Sequence, residues 1–303
     1  MDKLLNLSVA IGLCFIAGCQ GIGERQVVAP AVKQMSVNGV GLTYVEQGQG
    51  APLLFVHGSN SDHRLWEPQR EKFAKNYHFI AIDQRYFGTA PWPDNGEKFS
   101  LETQTNDLAE FILGLNAGPV NLVGWSSSGG PLLVVAVRHP ELVKSLFIYE
   151  PALGAIVTDA ADAKAVGDDR NAMSGPAVVA AKAGDNPGAV KVFMDGVNAQ
   201  PGTFDALPAA VKTVMFDNAR MLPLLFASPP PQQITCAQLG QIKAPVQIVR
   251  GELTRPYYKI IADTASRCIS GSKLVIVPNG RHLWPGQNPS AFNDLLLSFL
   301  KSN

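Results

Sequence analysis

The chain has 303 residues, 46% of them hydrophobic, and its 25 acidic side chains balance 25 basic ones. That length supports one sizeable core with room for an inserted subdomain. Balanced charge leaves no electrostatic footprint for nucleic acid or an anionic surface, so a globular protein handling a small molecule is the expectation.

Met1-Asp2-Lys3 supplies a small positive start, and residues 4–17 are largely apolar. A run this short suits the hydrophobic stretch of a secretory signal better than a membrane span. It ends in Ile16-Ala17-Gly18-Cys19, which resembles the lipobox of bacterial lipoproteins. The resemblance implies that residues 1–19 are a lipoprotein signal peptide, that Cys19 is lipidated, and that residues 20–32 tether an exported protein to the cell envelope. Gln20 stands where an aspartate would mark inner-membrane retention, so the outer membrane is the expected side. An ordinary signal peptide with an incidental Cys19 is the alternative. In an exported chain Cys236 and Cys268 can form a disulfide, or remain two buried thiols. No histidine or cysteine spacing suggests a metal site, and no phosphate or dinucleotide loop is present, so no cofactor is expected.

Residues 35–46 alternate apolar and polar around Asn38-Gly39, a β-hairpin signal. Pro52-Leu53-Leu54-Phe55-Val56 is continuously apolar, as expected of a strand buried on both faces of a parallel sheet. It stops at His57-Gly58-Ser59, and residues 62–75 read as a helix. A strand over 78–83, a loop over 84–93 and a helix over 100–116 follow. Strand–helix alternation predicts a mostly parallel sheet whose ligand site lies at the strand C-termini.

The stretch Val120-Asn121-Leu122-Val123-Gly124-Trp125-Ser126-Ser127-Ser128-Gly129-Gly130 reads as a strand, then a sharp turn of small residues, then an apolar helix over 132–139. A serine at such a turn is held in a strained conformation, which demands small residues two before and two after it. Ser126 satisfies this with Gly124 and Ser128. Ser127 would place Trp125 where a large side chain collides. Ser128 is sterically acceptable, but its strand would have to run on through Trp125, so Ser126 is preferred.

With these segments in place the chain resembles the α/β-hydrolases. His57-Gly58-Ser59 matches that family's oxyanion loop, Trp66 falls at the expected place after it, and Asp83-Gln84-Arg85-Tyr86-Phe87-Gly88 resembles its Asp-x-Arg-x-x-Gly turn. Ser128 departs from the glycine usual at that place. The match runs over about residues 36–299. It implies an α/β fold, a mostly parallel doubly wound sheet with an inserted helical cap. The core would comprise residues 33–151 and 243–303, and the cap residues 152–242. It further implies that the backbone N–H groups of Ser59 and Ser127 form the oxyanion hole. His57 is expected to be structural, and Asp83 and Arg85 to pair with each other.

Beyond the turn, residues 142–149 form a further strand ending at Glu150. Alanine-rich segments over 160–166, 175–183, 188–197 and 207–222 can be short cap helices, and Pro229-Pro230-Pro231 a stiff connector. Apolar cap residues Met215, Met221, Leu222, Leu224, Leu225 and Phe226 suggest an apolar pocket, although the cap's own core is the simpler account for most of them. Strands over 244–251 and 273–278 follow. The loop after the last strand carries His282, which the resemblance makes the general base.

Many relatives place an aspartate three residues after Gly251, but this chain has Thr254 there. The candidates for the acid are Glu150, directly after the strand that follows the serine, then Glu252, then none. The expected activity is hydrolysis of an ester or similar acyl bond in a small, apolar substrate through an acyl-serine intermediate. Carbon–carbon bond hydrolysis and cofactor-free haloperoxidase-like chemistry share such a site. A non-catalytic binding lipoprotein is the reading from another class.

Overall fold

The computed structural model describes residues 30–303. The signal segment 1–19, Cys19 and residues 20–29 of the tether lie outside the described residues, and the first strand already begins at Val32. Among the described residues eight strands form one sheet in the order β1-β2-β4-β3-β5-β6-β7-β8. They are β1 Val32–Val37, β2 Val40–Gln47, β3 Ala51–Val56, β4 Tyr77–Ile82, β5 Val120–Trp125, β6 Val143–Tyr149, β7 Val246–Gly251 and β8 Lys273–Val277. The β1–β2 and β2–β4 pairs are antiparallel, and the remaining pairs are parallel.

The hairpin closes as its sequence dictates. Asn38 at φ 45° and Gly39 at φ 80° are both left-handed, so the two-residue turn matches the strand twist and Val37 pairs with Val40. Leu53, Leu54, Phe55 and Val56 of β3 are completely buried, as a strand covered on both faces requires.

After β3 a 3₁₀ turn, His63–Trp66, leads into α1, Glu67–Phe73. Helix α2, Leu101–Leu115, is capped by Ser100, whose hydroxyl accepts the Thr103 N–H at 3.1 Å. Helix α3, Gly129–Arg138, starts at the serine turn and is buried over nearly its whole length. Between β6 and β7 the chain forms the cap: α4 Ala160–Lys182, α5 Asn186–Val197, α6 Thr203–Ala206, α7 Ala209–Asp217 and α8 Leu222–Ala227. Helix α9, Cys236–Leu239, returns the chain to the sheet, and α10 Pro256–Cys268, α11 Trp284–Gln287 and α12 Pro289–Lys301 complete it. Helices α2 and α3 pack together, as do α1 and α12.

Two expectations need correction. The segments 160–166 and 175–183 are not separate helices but the ends of α4, which runs through Gly175 and Pro176. Proline removes one helical hydrogen bond, yet α4 stays continuous because Met173 and Ala177 beside it are buried in the hydrophobic core. Asp83 and Arg85 do not pair with each other. Arg85 reaches α2, where both oxygens of Asp107 accept from it at 2.7 and 2.8 Å, while Asp83 accepts from the backbone and ring of His63 at 2.7 Å. The turn diverges after β4 and sends the two side chains to different elements.

The cap is tied to the core by charge-assisted bonds. Asp62 accepts from Arg64 at 2.7 Å and from Asn218 of the cap at 2.7 Å, and Arg64 also donates to Asp217 at 2.8 Å. Cys236 and Cys268 form a disulfide that joins α9 to the end of α10, with their Cα atoms 4.8 Å apart.

Candidate active site

β5 delivers Ser126 to the C-terminal edge of the sheet at φ 62°, a left-handed conformation that costs a non-glycine residue of order 1 kcal/mol or more. The turn tolerates little bulk. A Cβ on Gly124 would lie 2.5 Å from Leu132 of α3, and one on Gly58 would lie 3.1 Å from the Cβ of Ser126, so the 57–59 loop is packed directly on the serine turn. Ser128 is structural: its hydroxyl donates to the Val56 carbonyl at 2.9 Å and accepts the Trp125 N–H at 3.0 Å, fastening the turn to β3.

The loop after β8 brings His282 to this point. Trp125 Nε1 donates to the His282 carbonyl at 3.0 Å, the Tyr149 hydroxyl donates to the Arg281 carbonyl at 2.7 Å, and Asn198 of the cap accepts the Leu283 N–H at 3.0 Å. Three different parts of the chain therefore hold one loop. His282 Nε2 lies 3.0 Å from Ser126 Oγ, and Nδ1 lies 2.7 Å from Glu150 Oε2. An ionised carboxylate only accepts, so the Nδ1 proton belongs to that bond and Nε2 is left to accept the serine hydroxyl. Glu150 is completely buried, and its second oxygen accepts the Gly251 N–H at 2.8 Å. Like Ser126 it sits at positive φ, here 47°. Glu252 does not enter the site, being exposed with its carboxylate on the Asn279 N–H at 2.9 Å.

His57 is buried beneath the loop. Its Nδ1 donates to the Gly58 carbonyl at 2.8 Å, and its Nε2 accepts the Gln84 N–H at 3.1 Å. Burial pushes its pKa down, which keeps the ring neutral and in this tautomer. Asp62, His63 and Asp83 bring ligand-type atoms within 4.8 Å of one another. Those groups are already committed, Asp62 to Arg64 and Asn218 and Asp83 to His63. Burial, the largest single influence, opposes a charge on His63, but the bond to Asp83 together with the charges of Asp83 and Asp62 raises the pKa of the imidazole.

Above Ser126 lies a cavity of about 800 Å³, within the range of small-molecule sites. Ser59, Ser126, Ser127, Tyr258 and His282 line its floor. Of the apolar cap residues singled out in the sequence, Met215, Leu225 and Phe226 line it, whereas Met221 and Leu222 are buried in the core and Leu224 packs over Gly96. Helix α4 lines the same space with apolar Val166, Met173 and Val178 and with polar Arg170, Asn171 and Ser174. The lining is mostly apolar, as the sequence suggests, with the polar groups of α4 added to it. Sequence reasoning missed Tyr258, Asn198 and Arg170, which carry no motif and reach the site only through the cap and α10.

A mostly parallel sheet, a strand–serine–helix turn and a histidine after the last strand together make the α/β-hydrolase fold, which is the fold of this chain. Residues 51–177 match the model of the alpha/beta hydrolase fold. A 111-residue stretch is 35% identical to the (E)-2-((N-methylformamido)methylene)succinate hydrolase of Acinetobacter baylyi, covering 35% of this chain and 39% of that protein. The chain is 26% identical over 256 residues to the 2-(acetamidomethylene)succinate hydrolase of Mesorhizobium japonicum, covering 82% of this chain and 88% of that one. Among solved structures it is similar to Est816, an N-acyl homoserine lactone degrading enzyme, with a TM-score of 0.71 at 22% identity, over 88% of this chain and all of the other.

Proposed function

We propose that the protein is a serine hydrolase that cleaves an acyl bond of a small organic acid through an acyl-serine intermediate. The observation that carries this is the unbroken line from Ser126 Oγ to His282 at 3.0 Å and from His282 to Glu150 at 2.7 Å, at the floor of the cavity. In this reading His282 takes the Ser126 proton as Oγ attacks the carbonyl, Glu150 stabilises the imidazolium that results, and the same proton then passes to the leaving group. Water, activated by His282 in turn, releases the acid and restores Ser126. The N–H groups of Ser59 and Ser127 would hold the oxyanion. The test is labelling of the intact protein with a fluorophosphonate, together with turnover of a panel of acyl esters. A folded protein that neither labels nor turns over would support a binding role instead.

The substrate's acidic character rests on Arg170. It faces the cavity and, among the described residues, takes part in no ion pair. Both succinate hydrolases act, by name, on compounds with an acylated nitrogen and two carboxylates. We expect Arg170→Gln to raise KM for the anionic ester 4-nitrophenyl hemisuccinate by about tenfold, the loss of roughly 1.4 kcal/mol. KM for neutral 4-nitrophenyl butyrate should stay unchanged. Equal effects on both esters would remove the acid from the proposal.

Export with a lipid anchor on Cys19, placing the protein at a membrane of the cell envelope, is part of the same proposal. The Cys236–Cys268 disulfide supports it, since such bonds persist in oxidising compartments. Metabolic labelling with palmitate is expected to mark the protein and to be lost in Cys19→Ala; labelling that survives the substitution rules the anchor out.

A further inference from the structure

We infer that Tyr258 is a positioning residue for His282, a brace against the face of the imidazole that the cap holds in place through the first turn of α10. The inference rests on the hydrolase reading above for its effect on rate, but not for its geometry.

The two rings are stacked face to face, with centroids 3.9 Å apart and planes 9° from parallel. Such a stack is unlike the other aromatic contact of His282, in which Trp125 stands 6.0 Å away and tilted by 55°. The hydrogen bonds of His282 leave a degree of freedom for a brace to remove. Ser126 and Glu150 bind its two ring nitrogens. Both bonds lie in the plane of the ring, and only their angular softness opposes a tilt out of that plane. The bond directions at the two nitrogens are not collinear, so a tilt swings both out of line. A flat ring against the imidazole face blocks the tilt while allowing the small in-plane movement that proton transfer from serine to leaving group requires. The imidazolium formed on the way would lie over the electron-rich face of a phenol, a favourable contact for a desolvated cation.

Tyr258 is itself held. It is 2% exposed, and Tyr257 packs edge-on against it at 5.0 Å and 84°. Burial raises the Tyr258 pKa well above its ordinary value, as do Tyr257 and Glu150, so the brace stays neutral. The turn that carries both tyrosines is clamped by Asp169 of cap helix α4. Its carboxylate accepts from Arg255 at 2.7 and 2.8 Å and from the Tyr257 N–H at 2.8 Å. The loop from β7 to α10 holds Thr254 rather than an acid, and the first turn of α10 beyond it meets His282 with the aromatic face of Tyr258.

The test compares Tyr258→Phe, which keeps the ring, with Tyr258→Leu, which removes it. The readouts are kcat and KM for 4-nitrophenyl butyrate, the rate of fluorophosphonate labelling, and the low-field NMR resonance of the His282 Nδ1 proton. Tyr258→Phe is expected to stay within about threefold of the parent in kcat and labelling, and to keep the resonance. Tyr258→Leu is expected to lose about 30- to 100-fold in both rates, the scale of a misaligned catalytic group. Its KM should move by less than about twofold, and its resonance should broaden. A merely structural tyrosine would lower the melting temperature but leave kcat and the resonance of the folded protein intact, and that result overturns the inference. Should Tyr258→Leu fail to fold, Tyr258→Met fills the space with a flexible chain and decides on the same readouts. If the parent protein neither labels nor turns over, the hydrolase reading falls, and the proton resonance alone decides the brace.

Discussion

Ser126→Ala is expected to abolish fluorophosphonate labelling and to lower kcat for acyl esters by about 10⁵- to 10⁶-fold, the scale on which serine hydrolases lose activity with their nucleophile. The fold should survive. Ser126 Oγ is bonded to His282, and alanine keeps the Cβ that the turn already accommodates, so stability should change by less than about 1 kcal/mol. Ser126→Gly should be more stable than the parent, because glycine relaxes the left-handed backbone at φ 62°. Ser128→Ala is the control. It should keep the label yet lose about 1–3 kcal/mol of stability, since the Val56 carbonyl and Trp125 N–H it serves are left without a partner. Label lost in Ser128→Ala and kept in Ser126→Ala would reverse the assignment.

Glu150→Gln should cost about 10⁴-fold in kcat with little change in KM, whereas Glu252→Gln should stay within about twofold. The reason is the direction in which the new amide must lie. The Gly251 N–H donates to Oε1 of Glu150 at 2.8 Å, so glutamine keeps its carbonyl oxygen there and turns its NH₂ toward His282 Nδ1. Two donors cannot share that bond. The imidazole responds by moving its proton to Nε2, where it can no longer accept from Ser126. A Glu150→Gln protein with near-parent kcat would show that His282 works without this carboxylate.

Much of this was legible in the chain before any coordinates. The strands announced themselves as continuous apolar runs because a parallel sheet hides both faces of β3, β5 and β7, and the Asn38-Gly39 turn could hardly serve anything but a tight hairpin. Ser126 and His282 stood out because a strained turn restricts its neighbours and a terminal loop restricts its position. Glu150 was harder to read. Its positive φ and the depth of its burial leave no pattern in the residues around it, so it competed with Glu252 until distance separated them. The partners of Asp83 and Arg85 depended on where the chain turns after β4, which composition does not encode. The polar groups in the cavity were hidden for a related reason: in the alanine-rich α4 nothing marks Arg170 and Asn171 as residues that face this space.

The address of Glu150 has a consequence for how this scaffold can change. β5 and β6 are neighbours, and Trp125 and Tyr149, the residues just before Ser126 and Glu150, are register partners in the ladder. Serine and carboxylate are therefore spaced by main-chain hydrogen bonds, and a further bond from the Ala152 N–H to the Ser126 carbonyl at 3.0 Å fastens one turn to the other. A drift in the sequence of the loops cannot easily move them apart. The segment after β7 carries Arg255, which fastens α4 of the cap through Asp169. Substitutions at that joint can therefore shift the cap, while the spacing of Ser126 and Glu150 is held by the sheet.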